Sequence, residues 1–452
     1  MPFIVGWVLN AVYCLVLLAV APVLIYRRVK LGKYKGGWSE KLTGGLRRRN
    51  PDSPCIWIHA VSVGEVLQLQ NVLNELAARF PQSELLITTT TDTGYQVARD
   101  KYPSQTVCYF PLDFTWAVSR ALKQIRPALV VLVELELWPN FIAECRRRQV
   151  PLALINGRVS EKSNRGYRRI KPLIRRVLSC VDVMAVQNEE YRGRLLGLGA
   201  NPERVFVTGN IKFDRVQADR SQPKTQELRQ AFGIEADETV LIAGSTQAPE
   251  EMYALDAWRM LRQDFPRLRL ILVPRHKERF DDVAELVHQR GLPLQRRSQA
   301  SATGHHVPPW GGSRLNDKNP GSAPPVLLLD TLGELAACWG LADIAFVGGS
   351  LTNRGGQNML EPAGYGAAVL FGPNTWNFKD ITLSLLARKA ARVVTGPDDL
   401  VQAIRQLLEH PEQAAEMGQN ARSFVLQQQG ATARTVDVIC QLLTPARISR
   451  AA

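Results

Sequence analysis

The sequence predicts an α/β protein: two domains, each a parallel sheet covered by helices, behind an N-terminal helix long enough to cross a membrane. Three observations predict this. From residue 54 onward, short apolar runs alternate with stretches of helical periodicity, the pattern of parallel strands joined by crossover helices. The alternation stops once, at the polar stretch DRVQADRSQPKTQE (214–227), and then restarts. The segment from Phe3 to Tyr26 contains no charged residue.

The N-terminal segment comes first. Asn10 is its one strongly polar residue, and Arg27, Arg28, Lys30, Lys33 and Lys35 follow at once. About 20 apolar residues span a bilayer as a helix. Basic residues stay on the cytoplasmic side, so everything after residue 26 is expected in the cytoplasm. A cleaved leader fits poorly. No basic residue precedes the apolar run, and its one small-x-small site, Ala19-Val20-Ala21, is followed by Pro22. A helix lying in the interface would need a polar face, and this one is apolar all round.

In the first half the strand candidates are Cys55–Ala60, Glu84–Thr90, Thr106–Tyr109, Leu129–Glu134, Pro151–Asn156, Val183–Ala185 and Val205–Thr208. Helical patterns lie between them, as at Val66–Phe80 and Phe141–Arg148. In the second half the candidates are Thr239–Ala243, Arg269–Val273, Val326–Leu329, Ile344–Val347, Ala368–Phe371 and Ala391–Val394. Residues 296–325 are rich in Gly, Pro, Ser and Asn and read as a mobile surface loop. The boundaries that follow are 1–26 for the anchor, 27–213 for the first domain, 214–227 for a linker, 228–425 for the second domain, and 426–452 for a C-terminal helix and tail.

The chain has 452 residues and a formal charge of +14. Such an excess calls for anionic partners: phosphorylated substrates, acidic membrane or nucleic acid. No helix-turn-helix, zinc-finger or RNP-like pattern supports nucleic acid. The seven cysteines are odd in number and scattered, which suits a reducing compartment. The six histidines have no metal-ligand spacing, so no zinc site is expected; no cofactor is expected either. Neither half has GxGxxG or GxxxxGK[ST] after its first strand, which excludes a Rossmann dehydrogenase and a P-loop enzyme.

In the first half, three stretches look like a site for an acceptor. Ser62-Val63-Gly64-Glu65 stands where a strand turns into a helix; it reads as a capping box and equally as a carboxylate placed to take a proton. Glu134-Leu135-Glu136-Leu137-Trp138-Pro139-Asn140 ends the apolar run Leu129–Glu134, and Asn156-Gly157-Arg158-Val159-Ser160 the one after. Arg165, Arg168, Arg169, Lys171, Arg175 and Arg176 then form a basic cluster, suited to solvent or to anionic lipid.

In the second half, four loops follow strand candidates: Gly244-Ser245-Thr246, ahead of Glu250-Glu251; Pro274-Arg275-His276; Thr331-Leu332-Gly333-Glu334; and Gly348-Gly349-Ser350, running on to Gly355-Gly356-Gln357-Asn358-Met359-Leu360-Glu361. Small residues let backbone N–H groups approach a phosphate, and Arg275 suits phosphate pairing. Asn358 and Glu361 are three apart, so on a helix they share a face fit for ribose hydroxyls. Together the four loops mark a nucleotide site.

These segments resemble a known family. IWIHAVSVGE, TTTTDTGYQVA, FPLDF, VELELWPN, LINGRVSEKS, GNIKFD, AGSTQAPEE, LVPRHKERF, DTLGELAACWGLADIAFVGGSL, GGQNMLEPA and GPNTWNF are similar to segments of the 3-deoxy-D-manno-octulosonic acid (Kdo) transferases and occur in that family's order. The resemblance implies a GT-B-type glycosyltransferase, with two Rossmann-like domains facing a cleft. It implies CMP-Kdo as donor, bound by the C-terminal domain, and a lipid A precursor as acceptor for the N-terminal domain at the inner membrane. Glu65 matches the family's proposed general base, and Glu134 and Glu136 its second acidic motif. Lys212 and Arg275 would stabilise phosphate. Ser245, Thr246, Asn358 and Glu361 would hold the nucleotide, in loops that also carry His276, Gly333, Glu334, Gly349 and Ser350. Ser62, Gly64, Asn156, Arg158 and Ser160 would line the acceptor side. The chain departs from the pattern at Gln357, where the family has histidine in GGHN, and at Gln247-Ala248, where histidine and a small residue often follow GST. Two other functions fit the same features: a GT-B enzyme using another nucleotide sugar, whose competing nucleotide would be UDP or GDP, and a membrane-anchored binding module without turnover.

Overall fold

A computed structural model of the chain describes residues 3–31, 36–302 and 324–443. The described chain divides into two units, residues 1–215 with 428–452, and residues 216–427.

In the first unit, the strands are β1 (Cys55–His59), β2 (Glu84–Thr89), β3 (Thr106–Tyr109), β4 (Leu129–Val133), β5 (Leu152–Gly157), β6 (Val183–Val186) and β7 (Val205–Val207). They form one parallel sheet in the order β3-β2-β1-β4-β5-β6-β7. Strand β1 is flanked by β2, with Cys55 opposite Glu84, and by β4, with Ile56 opposite Leu129. Its side chains alternate between two cores. Cys55 and Trp57 join the cluster with Phe110 and Phe141, and Ile56 and Ile58 join the one with Val66 and Ile155. Both faces are therefore covered, which is why the strands read as continuous apolar runs.

In the second unit, the strands are β8 (Thr239–Thr246), β9 (Leu268–Pro274), β10 (Leu294–Arg296), β11 (Val326–Leu328), β12 (Ile344–Val347), β13 (Ala368–Phe371) and β14 (Ala391–Val393). They pair in parallel in the order β10-β11-β9-β8-β12-β13-β14. Strand β10 is absent from the sequence reading. Its three residues, Leu294-Gln295-Arg296, lie at the sheet edge and carry no apolar run.

Other boundaries differ too. The Val66–Phe80 pattern is two helices, Val63–Gln68 and Gln70–Arg79, the first begun by its own cap. The expected linker is only partly a connection. Pro223 starts a helix running to Ala231, in which Thr225 is buried and donates its hydroxyl to the Ala337 carbonyl. The expected loop at 296 begins with a short helix, Arg297–Ala302, and its residues 303–323 lie outside the described residues. The C-terminal helix Ala431–Cys440 is not an appendage. It returns to the first unit and packs Ala431, Val436 and Ile439 into the core of Ile56 and Ile58.

The N-terminal helix α1 runs from Phe3 to Leu31 and is long and apolar enough to cross a membrane.

Candidate active site

A parallel sheet binds ligands beyond the carboxyl ends of its strands, where the strand order reverses. In the first unit that point lies between β1 and β4. Glu65 follows β1 and Glu134 follows β4.

Ser62 caps the helix Val63–Gln68. Its Oγ accepts from the Glu65 N–H at 3.3 Å, and its hydroxyl donates to Glu65 Oε1 at 2.7 Å. Glu65 Oε2 accepts from the Val61 N–H at 2.8 Å. This is a capping box whose return bond reaches Val61 as well as the capping serine. Glu65 is only 8 % exposed. Burial raises its pKa, the hydrogen bonds from Ser62 and Val61 pull it back, and the charge of Glu134 raises it again.

Glu134 sits at φ 60, in the left-handed region, with its N–H donating to the Ile155 carbonyl at 2.9 Å. A non-glycine residue there is strained, and such strain persists where the surroundings impose it, often at functional sites. Two residues on, Glu136 has its pKa pushed up to about 7 by burial first and then by Glu65, with Trp138 acting in the opposite sense and Glu134 adding to the rise. The three carboxylates form one mutually repelling group.

That repulsion predicts a pH effect on stability. Unfolded, Glu136 ionises near the ordinary value of 4.5; folded, it holds its proton to about 7. Its stabilising contribution is full below 4.5 and is lost as the pH rises through 7. Glu136→Gln removes this dependence. The variant should gain stability over the parent on going from pH 5 to pH 8, by at most about 3 kcal/mol at 1.36 kcal/mol per pKa unit. Urea unfolding at the two pH values measures it, and parallel pH responses in both proteins would refute it.

Asn156, expected on the acceptor side, is fully buried. Its Nδ2 donates to Gln68 Oε1 at 3.0 Å, its Oδ1 accepts from the Ile211 N–H at 3.3 Å, and its carbonyl accepts from Gln187. It has no surface for a substrate. It braces the helix of Glu65 against the loop that carries Lys212. Gln68, a partner in that brace, went unread because a glutamine on an apolar helix has no sequence signature. Lys212 is half-buried, in a loop tied down by its own N–H to Asn210 Oδ1 at 3.0 Å. Gly64 keeps the space above its Cα nearly open; beyond its chain neighbours and its own helix backbone, Ser62 Oγ stands nearest, at 3.8 Å. Arg158 is half-buried beyond β5, and Ser160 is exposed and caps the helix Glu161–Arg169. The six basic residues from Arg165 to Arg176 are all exposed on two successive helices.

In the second unit the order reverses between β8 and β12, and the loops after those two strands are joined by one side chain. Glu250 is fully buried. Its Oε2 accepts from the N–H groups of Gly349 at 2.6 Å and Gln247 at 3.0 Å; its Oε1 accepts from Ser350 at 3.0 Å and Leu351 at 2.9 Å. The glycine loop was expected to offer those N–H groups to a phosphate, but the protein's own carboxylate takes them. Ser350 is buried as well: its hydroxyl donates to the Val347 carbonyl and accepts from the Gly372 N–H at 2.8 Å. Thr246 is likewise fully buried. Thr246 and Ser350 therefore shape the loops from beneath and present no side chain to a ligand.

Other groups remain at this end of the sheet. Ser245 is half-buried at φ 54, and Arg275 and His276 are exposed beyond β9. Gly333 takes φ 84, and Glu334 pairs with Lys224 at 2.8 Å and Arg297 at 3.2 Å. Asn358 and Glu361 do come together, Asn358 Nδ2 donating to Glu361 Oε1 at 2.9 Å, but not on one helix face. Asn358 precedes the helix Leu360–Gly364 and accepts from the Leu360 N–H. A side chain on Gly349 would stand 3.3 Å from Gln357 Nε2 and 3.6 Å from Gln247 Nε2. The two glutamines that depart from the family pattern flank the same glycine.

Comparison with known proteins decides the family. Residues 36–215 match the sequence profile described as 3-deoxy-D-manno-octulosonic-acid transferase, and residues 333–440 match one described as glycosyl transferase-like. The chain is 31% identical over 413 residues to a 3-deoxy-D-manno-octulosonic acid transferase of Haemophilus influenzae, covering 91% of this chain and 92% of that one. It is 32% identical over 446 residues to the transferase of the same name from Bordetella pertussis, covering 95% and 98%. The chain belongs to the Kdo transferase family. It is a glycosyltransferase, and Kdo is the sugar its family moves. Among solved structures, it is 30% identical to the C-terminal CMP-Kdo binding domain of WaaA from Acinetobacter baumannii, which covers 45% of this chain and 96% of that one at a TM-score of 0.38. A putative UDP-N-acetylglucosamine 2-epimerase from Listeria monocytogenes matches at a TM-score of 0.51 and 13% identity, covering 86% and 96%. That match speaks to the fold alone, two parallel-sheet α/β domains of GT-B type.

Proposed function

We propose that this Kdo transferase moves Kdo from CMP-Kdo to a hydroxyl of a lipid A precursor, with inversion and with Glu65 as general base. The observation that carries the reading is the placement of Glu65. It is a nearly buried carboxylate at the strand-order reversal of the first unit, with its pKa raised by burial and by Glu134. A base works best when its pKa approaches the working pH. The acceptor hydroxyl attacks the anomeric carbon as the bond from that carbon to the phosphate oxygen of CMP breaks. Glu65 takes the hydroxyl proton, and CMP leaves with the bonding electron pair. Lys212 and Arg275 offset the phosphate charge. Ser245, Asn358 and Glu361 hold the nucleotide in loops set by Glu250. The exposed basic helices and the apolar α1 support work at an anionic membrane; the cytoplasmic face of the inner membrane is the site this implies.

The test is direct. Purified protein is incubated with lipid A precursor, Kdo, CTP and the enzyme that makes the donor, and the lipid product is weighed by mass spectrometry. A gain of one or more Kdo units is expected and counts the transfers. An unchanged lipid from folded, CMP-binding protein would reject this acceptor.

A further inference from the structure

Two polar side chains in the first half of α1 are both engaged by the first unit. Asn10 is 4 % exposed. Its Nδ2 donates to Thr115 Oγ1 at 2.8 Å, and its Oδ1 accepts from the Thr115 N–H at 3.1 Å and from Asn140 Nδ2 at 3.4 Å. Nearly one turn on, Tyr13 donates its hydroxyl to Asp113 Oδ2 at 3.0 Å and sets its ring edge-on to Phe114. About one turn back, a side chain on Gly6 would stand 3.1 Å from Thr115 and 3.3 Å from Asn140. Positions 6, 10 and 13 share one helix face, and that face rests on Asp113–Thr115 and on Asn140.

Asp113 does a second job. It is nearly buried, and its carboxylate accepts the N–H groups of Asn140 at 3.0 Å and Phe141 at 2.8 Å. It thus caps the helix Pro139–Arg147 from another segment, while Asn140 Nδ2 donates to the Asp113 carbonyl at 2.6 Å. The residues that lead into this helix are Glu134 to Trp138, the acidic loop. One residue therefore joins the apolar N-terminal helix to the loop that holds two of the three carboxylates.

A helix destined only for hydrocarbon gains nothing from an asparagine, since a polar group without partners in lipid costs several kcal/mol. The geometry adds a constraint. At a rise of 1.5 Å per residue, Asn10 lies about 25 Å along the axis from Arg27. If Arg27 and Arg28 sit at the headgroups and α1 stands across a hydrocarbon layer about 30 Å thick, Asn10 is carried most of the way to the far face. It then cannot reach Thr115. Docking and an upright crossing exclude each other.

We propose that α1 is a strut rather than a tether: Asn10 and Tyr13 fix it to Asp113, and through Asp113 it holds the acidic loop at a set position relative to the membrane. The helix lies along the domain and turns Val12, Leu15, Leu18 and Val23, all exposed, toward lipid. Asn10, Tyr13 and Asp113 are positioning residues in the acceptor reaction, so this step rests on the lipid-acceptor reading above.

Two measurements test it. In the full-length protein in membrane vesicles, the pair Gly6→Cys and Thr115→Cys is oxidised and mapped by peptide mass. A docked helix cross-links in most chains; an upright helix apart from the domain leaves the pair unlinked, and that result overturns the proposal. This readout needs no activity, so it stands even if the wild-type enzyme proves to use another acceptor. The second measurement is kinetic. Asn10→Leu with Tyr13→Phe should float with vesicles like the parent and keep its KM for the donor, while KM for the lipid acceptor rises at least fivefold. Asn10→Gln should recover part of that rise. A cross-linked helix whose double variant keeps the parental acceptor KM would remove the coupling to the acidic loop.

Discussion

Glu65→Gln is expected to stop transfer while the protein stays folded. The amide keeps an oxygen to accept from the Val61 N–H or the Ser62 hydroxyl, contacts that the carboxylate makes at 2.8 and 2.7 Å. The cost to stability should stay near that of a weakened cap, about 1 kcal/mol. It cannot take a proton, and losing a general base lowers rates by about 10²–10⁴-fold. Glu65→Ala loses cap and base together and separates less cleanly. The readouts are initial rate with lipid acceptor, CMP affinity and melting temperature. Abundant transfer by a well-folded Glu65→Gln protein would reject the base. The pH profile supplies a second check. An ionised base is required, and the Glu65 pKa is raised, so the acid limb of the rate should lie above the ordinary carboxylate range. Glu134→Gln removes a neighbouring negative charge, lowers the Glu65 pKa and should move that limb to lower pH.

Glu250→Gln is the second large effect, and it falls on the donor side. Four N–H groups converge on this carboxylate, two on each oxygen. The amide keeps one acceptor oxygen and turns two donors toward two N–H groups. Each buried donor left without a partner costs about 1–3 kcal/mol, so a loss of about 2–5 kcal/mol is expected even after the loop relaxes. CMP affinity should fall at least tenfold, because the loops after β8 and β12 lose the group that joins them. Calorimetric titration with CMP at a temperature well below the melting point separates this from unfolding. Parental affinity in the variant would show that the nucleotide does not use these loops.

Much of this was legible in the residues, and what was not has physical causes. Thirteen of the fourteen strands among the described residues follow from apolar runs, because both faces of each sheet are covered and the strands carry no alternation to confuse the reading. Strand β10 was hidden by its shortness and polarity. Glu65, Glu134 and Glu136 drew attention because a carboxylate after an apolar strand stands out. Asn156, Thr246 and Ser350 were read as facing a ligand, but all three side chains are buried; polarity does not tell a buried brace from a residue that meets substrate. Glu250 and Asp113 were in view, within AGSTQAPEE and FPLDF, without a role. Three of the four N–H groups on Glu250 come from about a hundred residues away, and the two on Asp113 from 27–28 residues away, and no local pattern encodes such pairs. Nor could spacing show that Gln247 and Gln357 flank one glycine.

The return of Ala431–Cys440 to the first unit has a consequence for synthesis on the ribosome. The face of the first sheet built from Ile56, Ile58 and Ile155 is completed by Ala431, Val436 and Ile439. Residues 216–427 must all be made before that helix emerges. At about 5–20 residues per second, the wait is on the order of ten to forty seconds. For that interval the nascent first domain carries an uncovered apolar face beside an already emerged apolar α1. A chaperone or the membrane surface itself is the natural cover, and a transcript cut short before codon 431 yields a domain that never closes its core.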